Sequence, residues 1–215
     1  WYVNDYYHVT DKDAAMQETA DVKIIETSTG YLYDGPGNDT ALIFYPGAKV
    51  EDVAYASILK ELASQGIDCF LVHMPANLAM FGINRADKIM QEYSYNHWYL
   101  AGHSLGGAMA ASYAYKNSDK FEGLIFLAAY SAKDLSDKDL KVLSIYGSND
   151  KVLKMNKVES GRKYMPDSYE EYCIDGGNHA GYADYGVQKG DGEASITHGI
   201  QQKITVQKIL DFIAQ

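Results

Sequence analysis

Cysteine is scarce in this chain. Its two cysteines among 215 residues, Cys69 and Cys173, make neither a C-x-x-C motif nor a metal-ligating cluster, which argues against a thiol redox pair or a zinc framework. Basic charge is in the minority as well: 19 Lys and Arg face 29 Asp and Glu, for a net charge of −10. Nucleic acid and anionic membrane surfaces repel such a chain, and no basic run offsets this. Long apolar runs are missing. The longest, near Gly123 to Ala129, is far short of the roughly 20 residues a spanning helix needs, so no membrane span is expected. Internal repeats, low-complexity tracts and linkers are missing too. The chain therefore reads as one domain over 1–215, with 1–20 a polar and aromatic extension packed on or near it. No metal or organic cofactor is implied. The chain opens on Trp1 rather than methionine, and processing or trimming is the expectation that follows. An exported or membrane-tethered protein that has lost a signal or anchor is one expectation, and a cytoplasmic protein is the other.

What is present is the composition of a soluble globular protein, with 47% hydrophobic and 22% charged residues. Val22 to Ser28 and Tyr31 to Tyr33 read as two opening antiparallel strands. Apolar runs of strand length then recur at Ala41–Tyr45, Cys69–Met74, Trp98–Ala101 and Gly123–Tyr130, and Lys141–Tyr146 and Tyr169–Ile174 read as further strands. Between most of them the apolar residues fall at helical spacing, as in Tyr55, Ile58, Leu59 and Leu62, or Ala86, Ile89, Met90 and Tyr93. Further helices are expected over Lys154–Tyr164 and around Val206, Ile209, Leu210 and Ile213. Alternation of this kind predicts an α/β fold, with a mostly parallel central sheet of about eight strands and helices on both faces.

One stretch stands out chemically. Trp98–Ala101 leads into Gly102-His103-Ser104-Leu105-Gly106, and small residues follow in helical pattern. A G-x-S-x-G between a strand and a helix is the setting of a nucleophile elbow. Ser104 sits at the apex, with glycines where bulky neighbours would clash, and the amide of Leu105 points toward whatever Ser104 attacks.

In an open parallel sheet, ligands collect at the carboxyl ends of the strands. Reading the residues after each strand collects four features on one rim: the turn Gly47-Ala48, Ser104, Asp150 in Gly147-Ser148-Asn149-Asp150, and His179 in Gly176-Gly177-Asn178-His179. A serine hydroxyl needs a base, an imidazole can serve as one, and a carboxylate fixes that imidazole's tautomer. Ser104, His179 and Asp150 are thus the candidate triad. Asp150 has an alternative role as a helix N-cap, and Asp134, after the Gly123–Tyr130 strand, is the rival acid. His73 ends a strand on the same rim, where packing or pocket lining is the expectation. His103 is expected to orient locally, and His8, His97 and His198 to lie on the surface or pack.

The elbow and the order serine, acid, histidine resemble the α/β-hydrolase fold family over nearly the whole chain from about Val22. The turn Tyr45-Pro46-Gly47-Ala48-Lys49, the segment Met74-Pro75-Ala76-Asn77-Leu78 and the end Gly177-Asn178-His179 resemble its small, cap-less bacterial carboxylesterase and dienelactone-hydrolase-like branch. Dienelactone hydrolases commonly carry cysteine at the nucleophile, and here it is Ser104. The resemblance implies an oxyanion hole from the backbone N–H groups of Ala48 and Leu105, and strands for Cys69 and Cys173 far apart in the sheet, hence two free, buried thiols. Ser131 to Leu140 leaves no room for a cap domain. A shallow, open site follows, with Lys49, Asn77, Leu78 and Phe81 as candidate pocket residues on one side and Tyr182 and Tyr185 on the other.

The activity expected is cleavage of carboxylic esters of small molecules, with thioesters or amides as variants. Acyl transfer or cofactor-free peroxidation on the same triad is an alternative, as is a non-catalytic binding module on a hydrolase scaffold. The partner expected is a small-molecule ester. Oligomeric state is left open.

Overall fold

The computed structural model describes residues 6–215, so the first five residues of the expected N-terminal extension lie outside the described part. Eight strands form one sheet: β1 (Lys23–Thr27), β2 (Gly30–Asp34), β3 (Thr40–Tyr45), β4 (Ile67–Val72), β5 (His97–His103), β6 (Gly123–Leu127), β7 (Lys141–Gly147) and β8 (Tyr169–Ile174). Their order is β1-β2-β4-β3-β5-β6-β7-β8. β2 runs antiparallel to both its neighbours, and from β4 to β8 all pairs are parallel. Among the described residues six α-helices accompany them: α1 (Lys12–Met16), α2 (Ala56–Ser64), α3 (Arg85–Glu92), α4 (Leu105–Ala114), α5 (Met155–Gly161) and α6 (His198–Ile213).

Parallel strands covered on both faces must be apolar along their length. In β3 the two-residue period sends Leu42 and Phe44 to one face, where they meet Leu59 and Leu62 of α2 and Ile209 and Phe212 of α6. Ile43 and Tyr45 point the other way, into a second core with Ala86 and Ile89 of α3 and Ala110 and Ala111 of α4. The chain steps from β3 outward to β4, then crosses back to pair β5 on the other side of β3. That reversal opens a crevice at the carboxyl ends of β3 and β5, where such sheets bind ligands. The 128–140 connection from β6 to β7 contains no inserted cap.

Residues before β1 dock on the same rim. Tyr7 bridges Val50, with its N–H on the Lys49 carbonyl at 2.7 Å and its carbonyl receiving the Glu51 N–H at 2.8 Å. Some expectations need correction. The elbow strand is longer than its apolar run, because Gly102 and His103 still pair with β6. The helix expected over Lys154–Tyr164 is α5 followed by a tighter 3-10 turn at Arg162–Tyr164. Both cysteines are free, but only Cys69 is buried; Cys173 is exposed, because β8 is an edge strand with one face partly open to solvent. No helix of the described residues is long and apolar enough to cross a membrane.

Candidate active site

β5 passes into α4 through a single residue. Ser104 has φ 52° and ψ −121°, a conformation that costs an L-residue about 1–3 kcal/mol and persists only where its surroundings impose it. They do so here through backbone. The Ser104 N–H donates to the Leu127 carbonyl of β6 at 2.9 Å. A Cβ on Gly102 would lie 2.5 Å from the Gly106 carbonyl carbon, and one on Gly106 would lie 2.1 Å from the Tyr45 carbonyl oxygen. The elbow glycines are required because β3, β5 and α4 meet backbone to backbone. Leu105 is the first helical residue, so its amide has no intrahelical acceptor and sits at the positive end of α4.

The base and acid come from the ends of β8 and β7. Those ends touch: the Ser148 N–H reaches the Ile174 carbonyl at 2.9 Å, and the Asn149 N–H reaches the Gly177 carbonyl at 2.8 Å. Gly176 turns the chain after β8 with φ 74°. His179 is brought onto Asp150, with Nδ1 2.8 Å from Oδ2, and both side chains are almost wholly buried. The other carboxylate oxygen of Asp150 accepts the N–H groups of Val152 and Leu153, each at 2.8 Å. Asp150 is not the N-cap of α5, which is Lys154; one of its oxygens ties the turn before that helix and the other lies on the imidazole. Asp134 lies apart, exposed, with its carboxylate on the N–H and hydroxyl of Ser136.

A buried relay joins these parts. His103 Nε2 lies 3.1 Å from the carbonyl oxygen of His179, and a carbonyl only accepts, so Nε2 carries the proton. Nδ1 is then the acceptor, and the Tyr55 hydroxyl donates to it at 2.7 Å. The Tyr55 oxygen in turn receives the Gly47 N–H at 3.0 Å. Burial, and next the neighbouring His179, holds the His103 imidazole well below its usual pKa, which keeps it neutral. The sequence placed Tyr55 on the packed face of a helix. Its hydroxyl function left no local signal, since its partners are 8 and 48 residues away.

Ser104 and His179 open into one cleft of about 210 Å³, bounded by Leu105, Ala108, Ala129, Tyr130, Leu153 and Lys154. Ala48 is half-buried in the turn after β3. The six expected pocket residues are not among the residues bounding the cleft. Tyr182 is fully buried, with its ring 5.5 Å from that of His103, and Tyr185 is buried against Tyr7, because the loop after β8 folds inward instead of rising as a wall. Phe81 is exposed, and Leu78 is half-buried. The Lys49 N–H bonds the Asn77 carbonyl at 2.8 Å. Asn77 lines a different cavity, of about 570 Å³, which also contains the Asp52–His73 pair. The real walls come from the residues after β6 and those after Asp150. A search of all strand ends finds the first set, while Leu153 and Lys154 are reached only through the turn that Asp150 ties.

The sequence model of the alpha/beta hydrolase family matches residues 41–203. No curated protein matches the chain in sequence. Among solved structures, the chain is similar to dienelactone hydrolase from Anabaena variabilis, with 11% identity, a TM-score of 0.69, and 89% of this chain and 99% of that one covered. It is similar to Est1E from Butyrivibrio proteoclasticus at 14% identity and a TM-score of 0.63, covering 91% of this chain and 100% of that one. Carboxylesterase CesB from Bacillus subtilis superposes with a TM-score of 0.65 at 10% identity, over 94% of each chain. At such identities the likeness is one of fold.

Proposed function

The chain belongs to the alpha/beta hydrolase family, and from that premise we propose that it is a serine hydrolase that cleaves small carboxylic esters through an acyl-enzyme. The observation that carries this reading is the buried His179–Asp150 pair, whose His179 lines one cleft with the strained Ser104. Ser104 Oγ attacks the ester carbonyl while His179 Nε2 takes its proton. Asp150, on Nδ1, holds the ring in the tautomer that leaves Nε2 free and offsets the imidazolium charge. The N–H groups of Leu105 and Ala48 are assigned to the oxyanion, the first backed by the positive end of α4. The tetrahedral adduct collapses, the C–O bond breaks, and His179 returns the proton to the departing alcohol. Water repeats the sequence on the acyl-enzyme, releasing the acid and free Ser104.

The test is covalent labelling by a fluorophosphonate together with turnover of a graded panel of p-nitrophenyl esters. Ser104→Ala is expected to lose both. Labelling that persists in Ser104→Ala removes this nucleophile, and a wild-type chain that neither labels nor turns over is a binding module.

A further inference from the structure

Beyond Tyr130 the catalytic cleft adjoins a second cavity of about 520 Å³, which shares Tyr130 as a wall. It lies between the loop after β6 and the end of α5, and its polar lining includes Lys133, Lys157, Ser131 and Ser160. Lys154 belongs to the inner cleft, three residues before Lys157 and so on the same side of the chain as α5 begins. These cations are notable in a chain of net charge −10. Lys12, Lys120 and Arg162 are matched to carboxylates, whereas Lys133, Lys154 and Lys157 have no carboxylate partner among the described residues. The one acid on the outer cavity, Asp134, is occupied by Ser136. The outer cavity thus has two ammonium groups against one carboxylate, an excess of one positive charge. That suits a monoanion better than a dianionic phosphate. The rings of Tyr130 and Tyr164 and the apolar wall of Ala129 leave room for a short carbon chain between the anion and Ser104.

We propose that the outer cavity is a carboxylate subsite, and that the preferred substrates are esters bearing a free carboxylate one short chain from the scissile bond. This rests on the serine-hydrolase reading above. Neutral esters fill the inner cleft alone and leave Lys157 without an anionic partner and Lys133 with only the face of the Tyr115 ring, 5.8 Å away.

The experiment compares kcat/KM within two matched pairs at low ionic strength. One pair carries the carboxylate on the acyl side, mono-p-nitrophenyl adipate against p-nitrophenyl hexanoate. The other carries it on the alcohol side, a carboxybutyl butyrate against pentyl butyrate. One pair is expected to favour the anion by about tenfold, with the ratio shrinking as salt screens the lysines. In Lys133→Gln/Lys157→Gln that ratio is expected to fall by about fivefold or more. A ratio between two substrates is independent of the fraction of enzyme folded. Fluorophosphonate labelling of Ser104 with no anionic preference in either pair overturns the subsite and leaves the hydrolase reading standing, as does a preference unchanged in the double variant. Absence of both labelling and turnover overturns the two together.

Discussion

The Tyr55 hydroxyl donates to Nδ1 of His103 across 2.7 Å in a buried setting, and through it the turn at Gly47-Ala48 is tied to the backbone of His179. The two turns belong to opposite ends of the proposed chemistry, one to the oxyanion and one to the base. Tyr55→Phe keeps the ring and removes the link. It leaves the Gly47 N–H and His103 Nδ1 unpaired in the interior, which is expected to cost about 1–3 kcal/mol of stability. Loosening the oxyanion turn is expected to lower kcat by about tenfold, with KM little changed, since the interaction lost matters most in the transition state. Steady-state kinetics and thermal unfolding on one preparation separate the effects. A variant that loses stability but keeps kcat shows that the link has no positioning role.

Asp150 serves two functions with two oxygens, and two substitutions divide them. Asp150→Asn retains an acceptor for the Val152 and Leu153 amides but presents the wrong partner to His179 Nδ1. It is expected to lower kcat by about four orders of magnitude with stability near wild type. Asp150→Ala loses the tied turn as well and is expected to be less stable by a further ~1–2 kcal/mol. Asp134→Asn is the control for the rival acid and is expected to leave turnover of a neutral ester intact, since its carboxylate is held by Ser136 and not by His179. A collapse of kcat in Asp134→Asn instead reassigns the acid.

The buried neutral His103 also gives stability a pH dependence whose sign follows from its surroundings. Its pKa in the fold lies well below the unfolded value of 6.5, through burial first and the nearby His179 next. As pH falls through 6.5 the unfolded chain takes up a proton that the folded chain refuses, so falling pH favours unfolding. The slope approaches about 1.4 kcal/mol per pH unit below the unfolded pKa and vanishes above it. His73 is raised by its hydrogen bond to Asp52 and acts in the window above 6.5 instead, weakly, since its ring is more than half exposed. His103→Gln keeps a side-chain donor for the His179 carbonyl and removes the titration. Denaturant unfolding from pH 5 to 7 is expected to show the wild-type slope flatten in this variant, and equal slopes would mean that His103 is not buried neutral.

The sheet and the catalytic candidates were legible in the sequence because each rests on a local pattern. ALIFY and GLIFL are apolar at every position, as strands buried on both faces must be, and the serine and acid follow the largely apolar WYLA and KVLSIY, whereas the base follows Tyr169–Ile174, which carries Glu170 and Glu171. The cleft walls were not legible. They depend on how loops fold back, and Tyr182 shows the difficulty: a loop aromatic three glycines and a histidine beyond β8 reads as a rim residue, yet it packs beneath His103. The exposure of Cys173 was hidden for a related reason. The residues of Tyr169–Ile174 do not say that nothing pairs beyond it, and the edge position emerges only from strand order. Tyr55 and His103 were visible as residues, but a hydrogen bond spanning 48 positions leaves no periodicity to read.

Glycine at the elbow is a packing requirement, and contrasting substitutions test that. Gly106 faces the Tyr45 carbonyl, so a methyl there would sit 2.1 Å from a backbone oxygen that belongs to the central strand β3. Neither β3 nor α4 can yield without opening the core that Ile43 and Ala110 share. Gly106→Ala is therefore expected to cost about 3 kcal/mol or more, and to lower the unfolding midpoint by about 6 °C or more in a chain of this size. Gly199, in the first turn of α6, has nothing within 4 Å of an added Cβ. Gly199→Ala is expected to stabilise by about 0.4–1 kcal/mol, because alanine loses less chain entropy on folding. Both follow from scanning calorimetry. A Gly106→Ala protein as stable as wild type would mean that β3, β5 and α4 do not meet at the distance that holds Ser104 in its strained conformation.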